Sequence, residues 1–308
     1  MKLSLFDLHA DTAWAMYEHR QPLGANTLAV SLDKATAFAR YVQVMALWTH
    51  PTLSDEDGWE RCAQMLQNLE NDPAVRESRA RLCTACPTDP SLPSLLLSVE
   101  DARILNGKAE RVDALYDMGV RILTPLWKGE SCIGGAHDTD TGLTDFGKSA
   151  LTRALEHGMV LDISHASERA ADDIFNLAAR DGAPVIASHS NAYTLCGVSR
   201  NLRDGQIKEI LDTGGVIGIN LYTHFLRENG NACISDVIRH ITYFLEMGAV
   251  DALCLGCDMD GADLPADIPD LSYLPRLAEE LQKRNYSDET IRAIFFENAY
   301  RFAEQHIR

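Results

Sequence analysis

"KLSLFDLHADT", residues 2–12, is an apolar, strand-like run that breaks off into His9 and Asp11. Such a run at the head of an alternating chain can begin two architectures. An open doubly wound sheet normally follows its first strand with a glycine-rich phosphate turn. Here the strand is followed by "HADT". The other architecture is a closed barrel, which carries its chemistry on its strand ends. His9 and Asp11, two residues apart beyond a strand end, can converge on one cation; a polar turn closing the strand is the plainer reading.

Seven more apolar, β-branched runs follow: "YVQVMALW" (41–48), "SLLLSVE" (94–100), "GVRILTP" (119–125), "MVLDISH" (159–165), "PVIASH" (184–189), "GVIGIN" (215–220) and "ALCLGCD" (252–258). Nearly continuous apolar strands suit a parallel sheet buried on both faces. Helical spacing recurs between them, at 55–71, 145–158, 166–182, 204–215 and 235–248, with one or two closing helices over 287–306. Gly119, Gly158, Gly182, Gly214 and Gly248 stand where helices should stop. Strand–helix alternation repeated eight times predicts an α/β chain folded as a (β/α)8 TIM barrel. No linker-like segment interrupts 1–308, so one domain is expected.

Composition narrows the function. The 308 residues carry a formal net charge of −17. Such a surface repels phosphate backbones, which argues against nucleic acid as a partner. No run of 18 apolar residues offers a membrane span, and the N-terminus lacks the apolar core of a signal peptide. The expectation is a cytoplasmic protein with its eight cysteines reduced. Cys83 with Cys86 and Cys254 with Cys257 mimic a four-thiolate zinc site. Yet Cys254 and Cys257 lie three apart on a strand and should point to opposite faces.

If the barrel is right, its active end gathers His9 and Asp11 from the first strand, Glu100 from the third and His165 from the fifth. His189 comes from the sixth and Asp258 from the eighth. Singly, each has a structural explanation: Glu100 could pair with Arg103, and Asp258 could cap a helix. Together, three carboxylates crowded at one face need cations to offset their repulsion. Two divalent ions would do so, with Glu100 shared between them, and mixed His and carboxylate ligands suit zinc best. His50 and His137 lie in loops near this end and could touch substrate. His224 is a weaker candidate, and His19, His157, His240 and His306 read as surface or helix positions.

The segments "DLHADT", "LSVEDA", "GLTDFG", "GMVLDISHAS", "PVIASHSNAYTLC", "RNLRDGQI" and "LGCDMDG" occur in that order. From about residue 7 onward the chain resembles the membrane (renal-type) dipeptidases, zinc peptidases related to the amidohydrolase barrels. The resemblance implies two Zn2+ ions, a homodimer, and dipeptide hydrolysis by a metal-bridging hydroxide, often with a D-residue at the C-terminal side. It implies that His9, Asp11 and Glu100 bind one zinc and that Glu100, His165 and His189 bind the other. Arg200 would receive the substrate carboxylate, and Asp258 would contact the amine and relay a proton. One stretch departs from the pattern. Family members carry a His in an "LTH" segment, where this chain has "LTPLWKGES" (123–131), with Pro125 at the aligned position. Trp127 is then expected to wall the substrate pocket, with Lys128 as a candidate donor. The rival readings are a related amidase or lactamase and a catalytically impaired metal-binding relative.

Overall fold

The computed structural model describes residues 2–89 and 91–308. Eight strands follow in chain order: β1 Leu5–Ala10, β2 Tyr41–Trp48, β3 Ser94–Glu100, β4 Val120–Thr124, β5 Val160–Asp162, β6 Val185–Ile186, β7 Ile217–Ile219 and β8 Leu253–Leu255. Parallel pairing runs unbroken from β6 down to β1, then on to β8 and β7. A parallel bridge between Ala187 and Ile217 closes the ring. It is backed by the Ala187 N–H to Val216 carbonyl bond at 3.0 Å and the Gly218 N–H to Ala187 carbonyl bond at 2.8 Å. The chain therefore builds the (β/α)8 barrel expected from its periodicity. A two-residue strand, Arg81–Leu82, pairs in parallel with Ser94 and Leu95 at the start of β3.

Local chemistry sets the surrounding helices. Ser54, Thr144 and Ser167 accept backbone N–H bonds from Asp57, Gly147 and Ala170 and so start helices Asp55–Asn71, Asp145–Glu156 and Glu168–Asp181. Each cap satisfies a donor that the first helical turn leaves free. The last of these helices stops at Gly182, whose φ of 61° is left-handed.

Two apolar layers hold the barrel. Phe6, Val44, Leu96, Ile122, Val160, Ile186, Val216 and Cys254 cluster together, so seven strands and the residue leading into β7 contribute. Only the barrel interior lets the whole ring of strands meet. Phe296, Phe302 and Ile307 from the C-terminal helices join this cluster and form its floor. A larger cluster packs strand residues such as Leu47, Leu97 and Leu123 with the helices. Cys257 belongs to that outer layer and Cys254 to the inner one. The opposite-face argument against a joint thiolate site is thereby met.

Two details position the active end. Against β2, β1 slips by one residue between Asp7 and Ala10, which pair with Gln43 and Met45. Below the slip Phe6 and Leu8 join the interior apolar layer, while above it His9 and Asp11 join the polar cluster. Gly218 and Gly256 are the second detail. A Cβ on either would lie 1.9 or 1.8 Å from the Ser188 carbonyl oxygen. Only glycine lets the His189 segment press this closely on β7 and β8.

Candidate metal centre

The barrel brings together all six residues expected at its active end. His9, Asp11 and Glu100 form one group whose ligand atoms could hold a metal ion. Glu100, His165 and His189 form a second, and His9, His189 and Asp258 a third. Glu100 is the pivot. Its Oε1 lies 2.9 Å from His165 Nε2 and 3.4 Å from His189 Nε2, and its Oε2 lies 3.5 Å from His9 Nε2. Asp11 and Asp258 each approach His9 Nε2 at 3.8 Å. Arg103 pairs instead with Asp101 at 3.0 Å and Asp55 at 2.9 Å, which leaves Glu100 to the cluster.

The strands end earlier than the apolar runs suggested. His165, His189 and Asp258 stand three residues beyond β5, β6 and β8, on turns. His165 and Asp258 take left-handed backbone, with φ of 69° and 58°. That conformation is costly for residues with a Cβ and persists where surrounding contacts enforce it. Here the His165 carbonyl accepts the His137 N–H at 2.7 Å, and the Asp258 N–H donates to the His9 carbonyl at 3.0 Å.

The partners of the two imidazoles assign their protons. His165 Nδ1 lies 3.0 Å from the Trp127 carbonyl oxygen, so it must donate and its Nε2 carries a lone pair. His189 Nδ1 lies 2.7 Å from Ser188 Oγ. The Ser188 hydroxyl gives its own proton to Asp162, so His189 must also donate through Nδ1. Asp162 is fully buried and anchors this arrangement. It takes further bonds from Thr124 Oγ1 at 2.6 Å and from the Ser164 and Ser188 N–H groups at 2.9 Å. Such outer partners fix tautomer and ring orientation at metal sites.

Electrostatics agree with a ligand role. Burial, reinforced by Arg200, lowers the pKa of His165; burial, reinforced by His9 and Arg200, holds that of His189 well below its ordinary value. Both rings are neutral near pH 7, as ligation requires. For His9, burial opposes protonation, but the Glu100 and Asp11 carboxylates outweigh it and raise its pKa. Burial and the Glu100 charge push Asp11 up to about 7. Both His9 ring nitrogens and Asp11 Oδ1 are buried without a hydrogen-bond partner among the described residues. Unpaired buried polar atoms facing clustered lone pairs are the chemistry of a cation site.

A cavity of about 300 Å³ opens over this cluster. Trp14, Trp48, Trp127, Tyr222 and Phe225 give it an aromatic wall, and Lys128 and His137 reach it from the β4–β5 connection. Trp127 is part of this cavity wall, and its carbonyl also meets His165 Nδ1, a contact the sequence did not signal. Asp258 lines the cavity, and its Oδ2 accepts from Asn220 Nδ2 at 2.9 Å. Arg200 is buried beside it, with Nη1 on Ser190 Oγ at 2.7 Å and Nη2 on the His189 carbonyl at 3.0 Å. Burial lowers its pKa to about 10, so it stays charged. His50 bonds Thr52 and packs on Trp48. His240 is in a helix as expected but is fully buried, holding Ala192 and Leu226.

Comparison with known proteins places this geometry in context. The family model described as "Membrane dipeptidase (Peptidase family M19)" matches residues 1–307. An uncharacterized protein in the pqqA 5' region of Klebsiella pneumoniae is 31% identical over 258 residues, covering 78% of this chain and 92% of that one. An uncharacterized dipeptidase of Schizosaccharomyces pombe is 31% identical over 219 residues, covering 68% of this chain and 52% of its own length. Among solved structures, a metallo peptidase from Rhodobacter sphaeroides, liganded with a phosphinate mimic of the dipeptide L-Ala-D-Ala, superposes with a TM-score of 0.90. It is 24% identical, and all of both chains is covered.

Proposed function

The chain belongs to the membrane dipeptidase family of metallopeptidases, and on that premise we propose that it is a binuclear zinc dipeptidase that accepts a D-residue at the C-terminal side. The observation that carries this reading is the position of Glu100, one carboxylate reached by His9 on one oxygen and by His165 and His189 on the other. His9, Asp11 and Glu100 would hold one ion, and Glu100, His165 and His189 the second. When bound, zinc supplies Lewis acidity and a nucleophile drawn from water at neutral pH.

The chain's own groups do the rest. The two neutral imidazoles and the shared carboxylate present lone pairs at fixed positions, which removes reorganisation from the reaction. Asp258, steadied by Asn220, stands at the cavity edge, where it can bind the substrate's amine and hand a proton to the leaving nitrogen. Arg200 sets a permanent positive charge behind His165 and His189, suited to the substrate carboxylate. The aromatic wall excludes water and shapes the side-chain pockets. Acceptance of a D-residue draws support from the L-Ala-D-Ala mimic held by the Rhodobacter sphaeroides protein.

The test is hydrolysis of a panel of L,L and L,D dipeptides by metal-stripped protein, before and after adding zinc. Activity should return as two equivalents bind. Activity untouched by stripping, or a zinc-loaded protein inert on the whole panel, would sink the proposal.

A further inference from the structure

Three carboxylates, Asp11, Glu100 and Asp258, line the cavity, and so do Lys128 and His137. Lys128 and His137 come from one loop, the β4–β5 connection, residues 125–144. Burial, with His165 and Arg200 nearby, lowers the pKa of His137 to about 4, so its ring is a neutral donor.

That loop is built to hold them still. Antiparallel bridges pair Glu130 with Gly135, Gly134 with Leu143, and Ala136 with Ala166. The Gly129 N–H donates to Asp138 Oδ1 at 2.7 Å, and Ser167 Oγ donates to the Thr141 carbonyl at 2.6 Å. A Cβ on Gly135 would lie 2.2 Å from Thr139 Oγ1 and 2.5 Å from the Thr141 carbonyl oxygen, so the loop is packed on itself. His137 is bolted twice over. Its N–H holds the His165 carbonyl at 2.7 Å, and its Nδ1 lies 2.9 Å from Ser199 Oγ. Nε2 makes no hydrogen bond among the described residues. Ser199 Oγ has no other partner among them, so its hydroxyl can donate to Nδ1 and leave the proton on Nε2, at the cavity. Arg200, the next residue, is buried behind this face with both terminal nitrogens engaged.

Resting on the dipeptidase reading, we propose that His137 and Lys128 are substrate-contacting residues that receive the free carboxylate of the dipeptide, with Arg200 supplying charge from behind. A dipeptide zwitterion then has one favoured orientation, with its amine toward Asp258 and its carboxylate toward the β4–β5 loop. Substrates lacking that carboxylate lose the contact.

The experiment compares His137→Ala, His137→Gln, Lys128→Met and Ser199→Ala with the parent, all loaded with zinc. For His137→Ala and Lys128→Met, kcat/KM on an L,D dipeptide should fall about 10- to 100-fold, the range of a lost hydrogen bond to a charged group, with the loss in KM. His137→Gln, which keeps a donor, should recover part of it. Ser199→Ala should shift KM in the same direction. Zinc content and Tm should stay at parent values. A phosphinate dipeptide mimic should lose affinity for the variants, whereas its C-terminal carboxamide should bind parent and variants alike. A loss confined to kcat, or equal losses for carboxylate and carboxamide, would overturn the assignment. So would loss of zinc from both His137→Ala and Ser199→Ala. If the zinc-loaded parent hydrolyses no dipeptide, the dipeptidase reading itself fails; if it does and the variants match it, only this assignment fails.

Discussion

The Nε2 atoms of His165 and His189 stand 3.1 Å apart, and both reach Glu100 Oε1. With both Nδ1 atoms donating elsewhere, three lone-pair groups face one another. Such a meeting is repulsive unless a cation sits among them.

Glu100→Gln should therefore remove more than one ligand's worth of binding. The variant is expected to retain at most one zinc per chain. Its kcat/KM should fall by more than the roughly 10- to 100-fold typical of losing an outer partner of a metal ligand. Metal analysis by mass spectrometry, beside dipeptide kinetics, checks this; two bound zincs with parent activity would remove Glu100 from the bridging position.

Ser188→Ala tests the tautomer argument. His189 Nδ1 loses its acceptor and Asp162 loses one of its donors. Zinc affinity at the His165–His189 site should drop about 10- to 100-fold, read by competition with a chelator of known affinity. Unchanged affinity would mean that His189 needs no such partner.

Arg200→Lys keeps the charge but cannot span Ser190 and the His189 carbonyl as the guanidinium fork does. Zinc content should be retained while kcat/KM on dipeptides falls about 10-fold or more. Parent kinetics would show that Arg200 plays no part in receiving the carboxylate.

Trp127→Ala removes the ring but leaves the carbonyl that orients His165. Metal content should hold, and the ranking of accepted dipeptides should change, because the ring packs on Trp48 at 5.1 Å between centroids in the cavity wall. An unaltered ranking across an L,L and L,D panel would take the ring out of the pocket.

His240 gives a pH prediction separate from the metal site. Burial lowers its pKa to about 4, so the unfolded chain takes up a proton near its ordinary value before the folded one does. Its contribution is fully present above about pH 6.5 and is lost as pH falls toward 4, by about 3 kcal/mol in all. Denaturant titrations across this range should show that slope, and His240→Gln should flatten it. Equal slopes in both proteins would contradict the assignment.

Much of this was legible in the sequence because strand ends carry their own marks. Eight apolar runs led to the barrel, and the polar tips of five of them led to His9, Asp11, Glu100, His165, His189 and Asp258. The five glycines expected to stop helices all take positive φ. The outer partners were not legible. Ser188 and Asp162 look like ordinary strand-end polar residues until folding sets them side by side, 26 residues apart in sequence. Nor could spacing reveal that the Trp127 carbonyl, rather than its ring alone, serves the centre. A backbone atom leaves no trace in residue identity. The left-handed turns at His165 and Asp258 were equally hidden, since neither residue is a glycine.

The one-residue slip in β1 has a consequence for how this strand can vary. The slip is one extra residue in β1, so Leu8 and His9 follow each other on the inward side. Deleting Leu8 would restore regular alternation, keep Asp7 and Ala10 opposite Gln43 and Met45, and leave His9 and Asp11 facing inward. Deleting Ala10 would instead turn Asp11 toward the helices and take it out of the cluster. Loss of a residue is thus tolerable at one point of β1 and ruinous two residues further on.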